Sequence, residues 1–112
     1  MLWFSGVTIF CMNFNEYQAL AARTAFADGE DKKYTLMYLC MGIAGESGEV
    51  IEKMKKVIRN DHGVVSEEKR QDLKKEIGDV FWYLSELSRA LNLSLDEVAS
   101  ANIAKLADRA AR

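Results

Sequence analysis

Apolar residues recur along most of this chain at intervals of three and four, the spacing that keeps them on one side of an α-helix. No stretch shows sustained period-two alternation between hairpin turns, and the chain contains no proline. The pattern predicts an all-α protein of four helices. Asn15 with Gln18 supplies a capping-box signal for a first helix running to about Phe26, and Asp28-Gly29-Glu30-Asp31 reads as a loop. A second helix is predicted from about Lys33 to Arg59, ending at Asn60-Asp61-His62-Gly63, whose glycine suits a helix terminus. Ser66, followed by Glu67 and Glu68, opens a third helix that continues to about Leu91, with acids at its positive end. Ser94-Leu95-Asp96-Glu97 is a full capping box, and the helix it opens runs to about Arg109.

Advancing about 100° per residue, Ile43, Val50, Met54, Val57 and Ile58 form one apolar arc on the second helix, with Glu46 and Glu49 beside it. On the third helix the arc is Leu73, Ile77, Val80, Leu84, Leu87 and Leu91, flanked by Glu76 and Asp79. The expected architecture is a four-helix bundle in which the second and third helices pack antiparallel through these arcs, bringing both acid pairs to the rim of one groove. Tyr34, Met37 and Met41 lie outside the main arc, Gly42, Gly45 and Gly48 recur every third residue, and Trp82 lies away from the third helix's arc. Glycine inside a helix costs roughly 1 kcal/mol relative to alanine, so close approach by another helix is the expected compensation. A chain this small does not bury both sides of two long helices, and a homo-oligomer, dimer or tetramer, is expected.

The acid pairs belong to a pentapeptide that occurs twice, Glu46-Ser47-Gly48-Glu49-Val50 and Glu76-Ile77-Gly78-Asp79-Val80, both E-x-G-[DE]-V. Acids three residues apart share a helix face about one turn apart. A single such pair is common on solvated helices; the repeat, with glycine at the same offset and an apolar arc alongside, is not. Two pairs make one four-carboxylate site, which needs a cation, and oxygen-only ligands favour hard ions such as Mg²⁺ or Mn²⁺. A di-iron carboxylate bundle would need histidines on the helices. The single histidine here, His62, falls in a loop.

With 112 residues the chain is expected to form one domain. A net charge of −2 supplies no broad basic field, so no nucleic-acid polymer is expected as partner, whereas a small anion carried with metal is compatible. Cys11 and Cys40 have no metal or redox spacing, and Cys40 falls on an apolar helix face. A reduced, cytoplasmic protein is expected. Residues 1–11 are apolar but lack a basic flank and are too short to span a bilayer. They read as an N-terminal extension to a domain of residues 12–112, with no membrane association.

Taken together, Gly45-Glu46-Ser47-Gly48-Glu49, Lys75-Glu76-Ile77-Gly78-Asp79-Val80 with Tyr83-Leu84, and the Asn102-x-x-Lys105-x-x-x-Arg109 segment resemble the MazG-like nucleotide pyrophosphohydrolases of the all-α NTP pyrophosphatase superfamily. The likeness covers about residues 13–110. It implies hydrolysis of (deoxy)nucleoside triphosphates between the α and β phosphorus atoms, giving monophosphate and pyrophosphate, in nucleotide-pool house-cleaning. By the same likeness Glu46, Glu49, Glu76 and Asp79 are the expected Mg²⁺ ligands. Glu49, with Glu46 beside it, is the expected catalytic carboxylate, orienting or deprotonating the attacking water. Lys53, Lys56 and Tyr83 continue the two acid stripes, and Asn102, Lys105 and Arg109 share one face of the last helix; all six are candidate substrate contacts. The rivals are a phosphoribosyl-ATP or dUTP-type pyrophosphohydrolase and, from another class, a non-catalytic helical interaction module.

Overall fold

A computed structural model describes residues 3–4, 7–8, 11–25 and 32–112. Four helices account for most of them: α1 (Phe14–Ala22), α2 (Lys32–Asn60), α3 (Glu67–Ala90) and α4 (Leu95–Ala110). Ahead of α1, β1 (Trp3–Phe4) pairs antiparallel with β2 (Val7–Thr8), Trp3 opposite Thr8 and Phe4 opposite Val7. This small ladder lies inside the stretch read from sequence as an extension, where aromatic and β-branched residues flank Ser5-Gly6. α1 ends at Ala22 with Arg23 as its C-cap, short of the predicted end near Phe26, and the loop read at 28–31 lies outside the described residues.

The chain divides into two compact units, residues 1–28 with 85–112, and residues 29–84. In the first, α1 packs against α4, and Ala21 and Leu95 are its buried apolar residues among those described. The cap of α1 is Asn13, whose side-chain oxygen accepts from the Glu16 N–H at 2.8 Å, not Asn15. Asn15 and Gln18 serve α4 instead. Asn15 Oδ1 accepts from the Asp96 N–H at 3.1 Å, and Gln18 Oε1 accepts from the Leu95 N–H at 3.3 Å. Gln18 Nε2 also donates to the Leu93 carbonyl at 2.9 Å, so α1 holds the start of α4 through donors and acceptors that the helix's own turns leave open. Ser94 caps α4 as expected, accepting from the Glu97 N–H at 3.1 Å.

The end of α3 is a Schellman turn: the Leu93 N–H bonds the Ser88 carbonyl, the Asn92 N–H bonds the Arg89 carbonyl, and Asn92 sits at φ 58°. The most buried positions near this end are polar, Ser85, Glu86 and Ser88. Glu86 is ion-paired with Arg89 at 2.7 Å, which satisfies a carboxylate otherwise costly to bury.

In the 29–84 unit, Val57 is fully buried and Leu39 nearly so. The apolar arcs expected to form the core are covered unevenly. Ile43, Val50, Met54, Leu73 and Val80 are partly buried, but Ile58 is 67% exposed and Ile77 57%. Leu84, and Leu91 in the other unit, are exposed as well. Cys40, expected on a covered face, is also exposed. One chain supplies too few facing side chains for the apolar surface its helices present. Among the described residues, no helix is long and apolar enough to cross a membrane.

Candidate metal centre

The candidate site lies within the 29–84 unit, where α2 and α3 meet at two points. Gly42 meets Tyr83, and Lys53 Nζ lies 3.7 Å from Glu76 Oε1. Positions rising along α2 meet positions falling along α3, so the two helices run antiparallel through this contact. Between those two points, Glu46, Glu76 and Asp79 each offer a carboxylate oxygen, all within 4.8 Å of one another. Both halves of the doubled motif thus contribute to one cluster. Glu46 and Glu76 are partly buried and Asp79 is exposed.

The electrostatics follow from that gathering. Burial raises the Glu46 carboxyl above its ordinary value of 4.5, and the charges of Asp79, Glu76 and Glu49 push it the same way. Glu49 acts on Glu46 from the next turn but is not one of the three converging groups, and its side chain is exposed. Three hard oxygen donors suit a divalent cation of the Mg²⁺ type. Oxygens within 4.8 Å of one another are close enough for one such ion to be held with at most small side-chain rotations. The residues present fit the ion.

The other candidates fall in different places. Lys53 reaches across to Glu76, whereas Lys56 pairs with Glu52 on its own helix at 3.9 Å, the ordinary arrangement of a surface i,i+4 pair. Tyr83 stands beside the cluster. Its hydrogen bond with Tyr38 raises its phenol, as do burial, the Tyr38 charge and the charges of Glu46 and Asp79. Trp82, read from sequence as facing outward, is partly buried with its ring edge-on to Tyr83 at 4.9 Å. Asn102, Lys105 and Arg109 are exposed on α4, in the other unit. His62 is exposed after the end of α2 with φ 54°.

Sequence reasoning missed Tyr38 and misread Gly42. Following the Glu46 stripe back along α2 in steps of four leads to Gly42 and then Tyr38, so a signal was present. The glycine repeat concealed it, because only Gly42 of the three has a neighbour; around Gly45 and Gly48, as around Gly78, nothing lies within 4 Å of where a Cβ would stand. The neighbour is Tyr83 of the same chain, not a second helix backbone.

Residues 35–112 match the family of the MazG nucleotide pyrophosphohydrolase domain. The chain is also similar to the Gene 37 protein of Mycobacterium phage L5, 40% identical over 101 residues that cover 88% of this chain and 89% of that protein. No solved structure matches. The family match takes in both carboxylate motifs and all of α3 and α4, and on it the chain belongs to the MazG nucleotide pyrophosphohydrolase family.

Proposed function

We propose that the protein hydrolyses nucleoside triphosphates, deoxynucleotides included, at the α–β phosphoanhydride in a Mg²⁺-dependent reaction, as a house-cleaning enzyme of the cytoplasmic nucleotide pool. The observation that carries this reading is the convergence of Glu46, Glu76 and Asp79 from both motifs within a nucleotide pyrophosphohydrolase domain. Mg²⁺ bound there would offset the negative charge of substrate and cluster and assist attack at phosphorus. Glu46, Glu76 and Asp79 would hold it, with Glu49 joining them. Glu49, exposed one turn beyond Glu46, would orient the attacking water and accept its proton. Mn²⁺ suits the same oxygen donors.

Lys53, on leaving Glu76, would meet a phosphate. Lys56 is a weaker candidate on the same stripe, and Tyr83 offers a ring face beside the cluster for the base. Asn102, Lys105 and Arg109 enter as substrate contacts on the family motif alone. The functional domain is taken as residues 12–112, with 1–11 as its extension.

A homo-oligomer is part of the proposal. Tyr34, Met37, Tyr38 and Met41 form an exposed row at i, i+3, i+4 and i+7 on α2, and Ile77 and Leu84, one heptad apart on α3, are exposed as well, more apolar surface than a monomer ordinarily leaves open.

The test is pyrophosphate release from a panel of ribo- and deoxynucleotides with Mg²⁺, for wild type, Glu49→Gln and Asp79→Asn, with circular dichroism to confirm the fold. Turnover by wild type and loss in both variants is expected. Full activity in both would overturn the site. A wild type inactive on every nucleotide would favour the helical interaction module, whose surface the exposed rows would be.

A further inference from the structure

Gly42 stands four residues before Glu46 on α2, and Tyr83 four residues after Asp79 on α3. Each is therefore one turn from a carboxylate of the cluster along its own helix, on the same side. Their contact is closer than any side chain at position 42 would permit. A Cβ there would lie 2.6 Å from Tyr83 Cζ and nearer still to Cε1 and Cδ1, distances that real Cβ atoms do not show. The ring is also held from other directions. The Tyr38 ring lies beside it, centroids 6.4 Å apart and tilted at 56°, and Trp82 stands edge-on at an interplanar angle of 85°. A ring braced in this way cannot swing aside without breaking those contacts.

The glycine requirement is specific to this turn, since Gly45, Gly48 and Gly78 have open space where a Cβ would be. The turn is also the one that adjoins the cluster. In the antiparallel contact, Gly42 with Tyr83 lies immediately before Glu46 with Asp79, and Lys53 with Glu76 lies on the far side.

We propose that Gly42 and Tyr83 are positioning residues: the Tyr83 ring, seated on bare backbone at Gly42, sets the gap between α2 and α3 at which Glu46 reaches Glu76 and Asp79. This rests on the reading of the cluster as a metal site. An ion of the Mg²⁺ type tolerates only a few tenths of an ångström in its ligand distances, so a gap widened by one methyl group is felt directly as lost affinity. Tyr38 and Trp82 act one step further out, keeping the ring in its seat.

The experiment is a double-mutant cycle read as Mn²⁺ affinity by electron paramagnetic resonance, with Mg²⁺ competition, on the full chain. Gly42→Ala is expected to weaken Mn²⁺ binding by about 10-fold or more, the range seen when groups that orient metal ligands are lost. Introduced into Tyr83→Ala, the same substitution should change affinity by less than about 2-fold, because the atom it strikes is gone. Gly45→Ala should bind as wild type. Tyr83→Phe keeps the ring and should retain most of the affinity, which guards the test if Gly42→Ala does not fold. Unchanged Mn²⁺ affinity in Gly42→Ala, or an equal loss in both backgrounds, would overturn the positioning role. A wild type that binds Mn²⁺ no better than Glu46→Gln would instead overturn the metal reading on which it rests, so the two failures are distinct.

Discussion

Replacing Glu46 with glutamine should strengthen the metal-free fold and remove most of what a divalent cation adds to it. Two unit charges 4.8 Å apart repel by about 0.9 kcal/mol at the dielectric constant of water and by about 3.5 kcal/mol at an effective value near 20. Glu46 takes part in two of the three such pairs in the cluster. Because Asp79 is exposed and the other two acids are only partly buried, the lower end applies, and salt screens it further. A net gain of about 1–2 kcal/mol is expected for Glu46→Gln in EDTA, which at roughly 4 °C per kcal/mol is a rise in Tm of several degrees. With Mg²⁺ at 10 to 100 times its Kd, the wild type should gain about 1.4–2.7 kcal/mol, and the variant only a small part of it.

The pH dependence fixes the sign. Burial, and then Asp79, Glu76 and Glu49, raise the Glu46 carboxyl in the folded state above its ordinary value of 4.5. The stability this group contributes is fully present below 4.5 and is lost as pH rises through the raised value. The advantage of the glutamine variant should therefore be large at pH 7.5 and shrink as the solution is acidified into the carboxylate range. Thermal unfolding by circular dichroism, with and without Mg²⁺ over that pH series, measures all three effects. A variant no more stable than wild type in EDTA at pH 7.5, or one that keeps the full Mg²⁺ shift, would refute the reasoning.

Gln18→Ala removes the bonds to Leu93 and Leu95 that hold the start of α4 and should cost about 2 kcal/mol in urea unfolding, against a few tenths for Gln71→Ala, whose bond to Glu67 is solvent-exposed. Ser85 is fully buried with no partner for its hydroxyl among the described residues, so Ser85→Ala should be neutral or stabilising by up to about 1 kcal/mol in the same assay. Gly48→Ala and Gly78→Ala meet only open space and should each stabilise their helix by about 1 kcal/mol, which differential scanning calorimetry would register. A loss of stability that depends on protein concentration would instead show that a second chain fills the space beside them.

The helices were legible because their termini carry local chemistry. Ser94 with Glu97 and Gly63 after Asn60 need only their own neighbours, and both behave as read. Where two local signals overlapped, the reading failed. Asn13 with Glu16 and Asn15 with Gln18 are equally good capping frames two residues apart, and what separates them is that Asn15 and Gln18 are engaged by α4, some eighty residues away in sequence. Asn92 ending α3 in the left-handed region is the same kind of case, since asparagine permits that conformation without announcing it.

The carboxylate cluster was readable for a different reason. Helical periodicity carries angular position along a helix, so Glu46, Glu76 and Asp79 could be placed on facing sides before any contact was known. It carries nothing about how far apart two helices stand. That distance is set where the largest side chain of one helix meets the smallest residue of the other, and a periodic glycine pattern says only that several turns are eligible. Of Gly42, Gly45 and Gly48, the turn that counts is the one Tyr83 occupies, where the Tyr38 and Trp82 rings stand against that ring. Angular placement made the acids into a candidate site, and this one aromatic contact is what the site's spacing rests on.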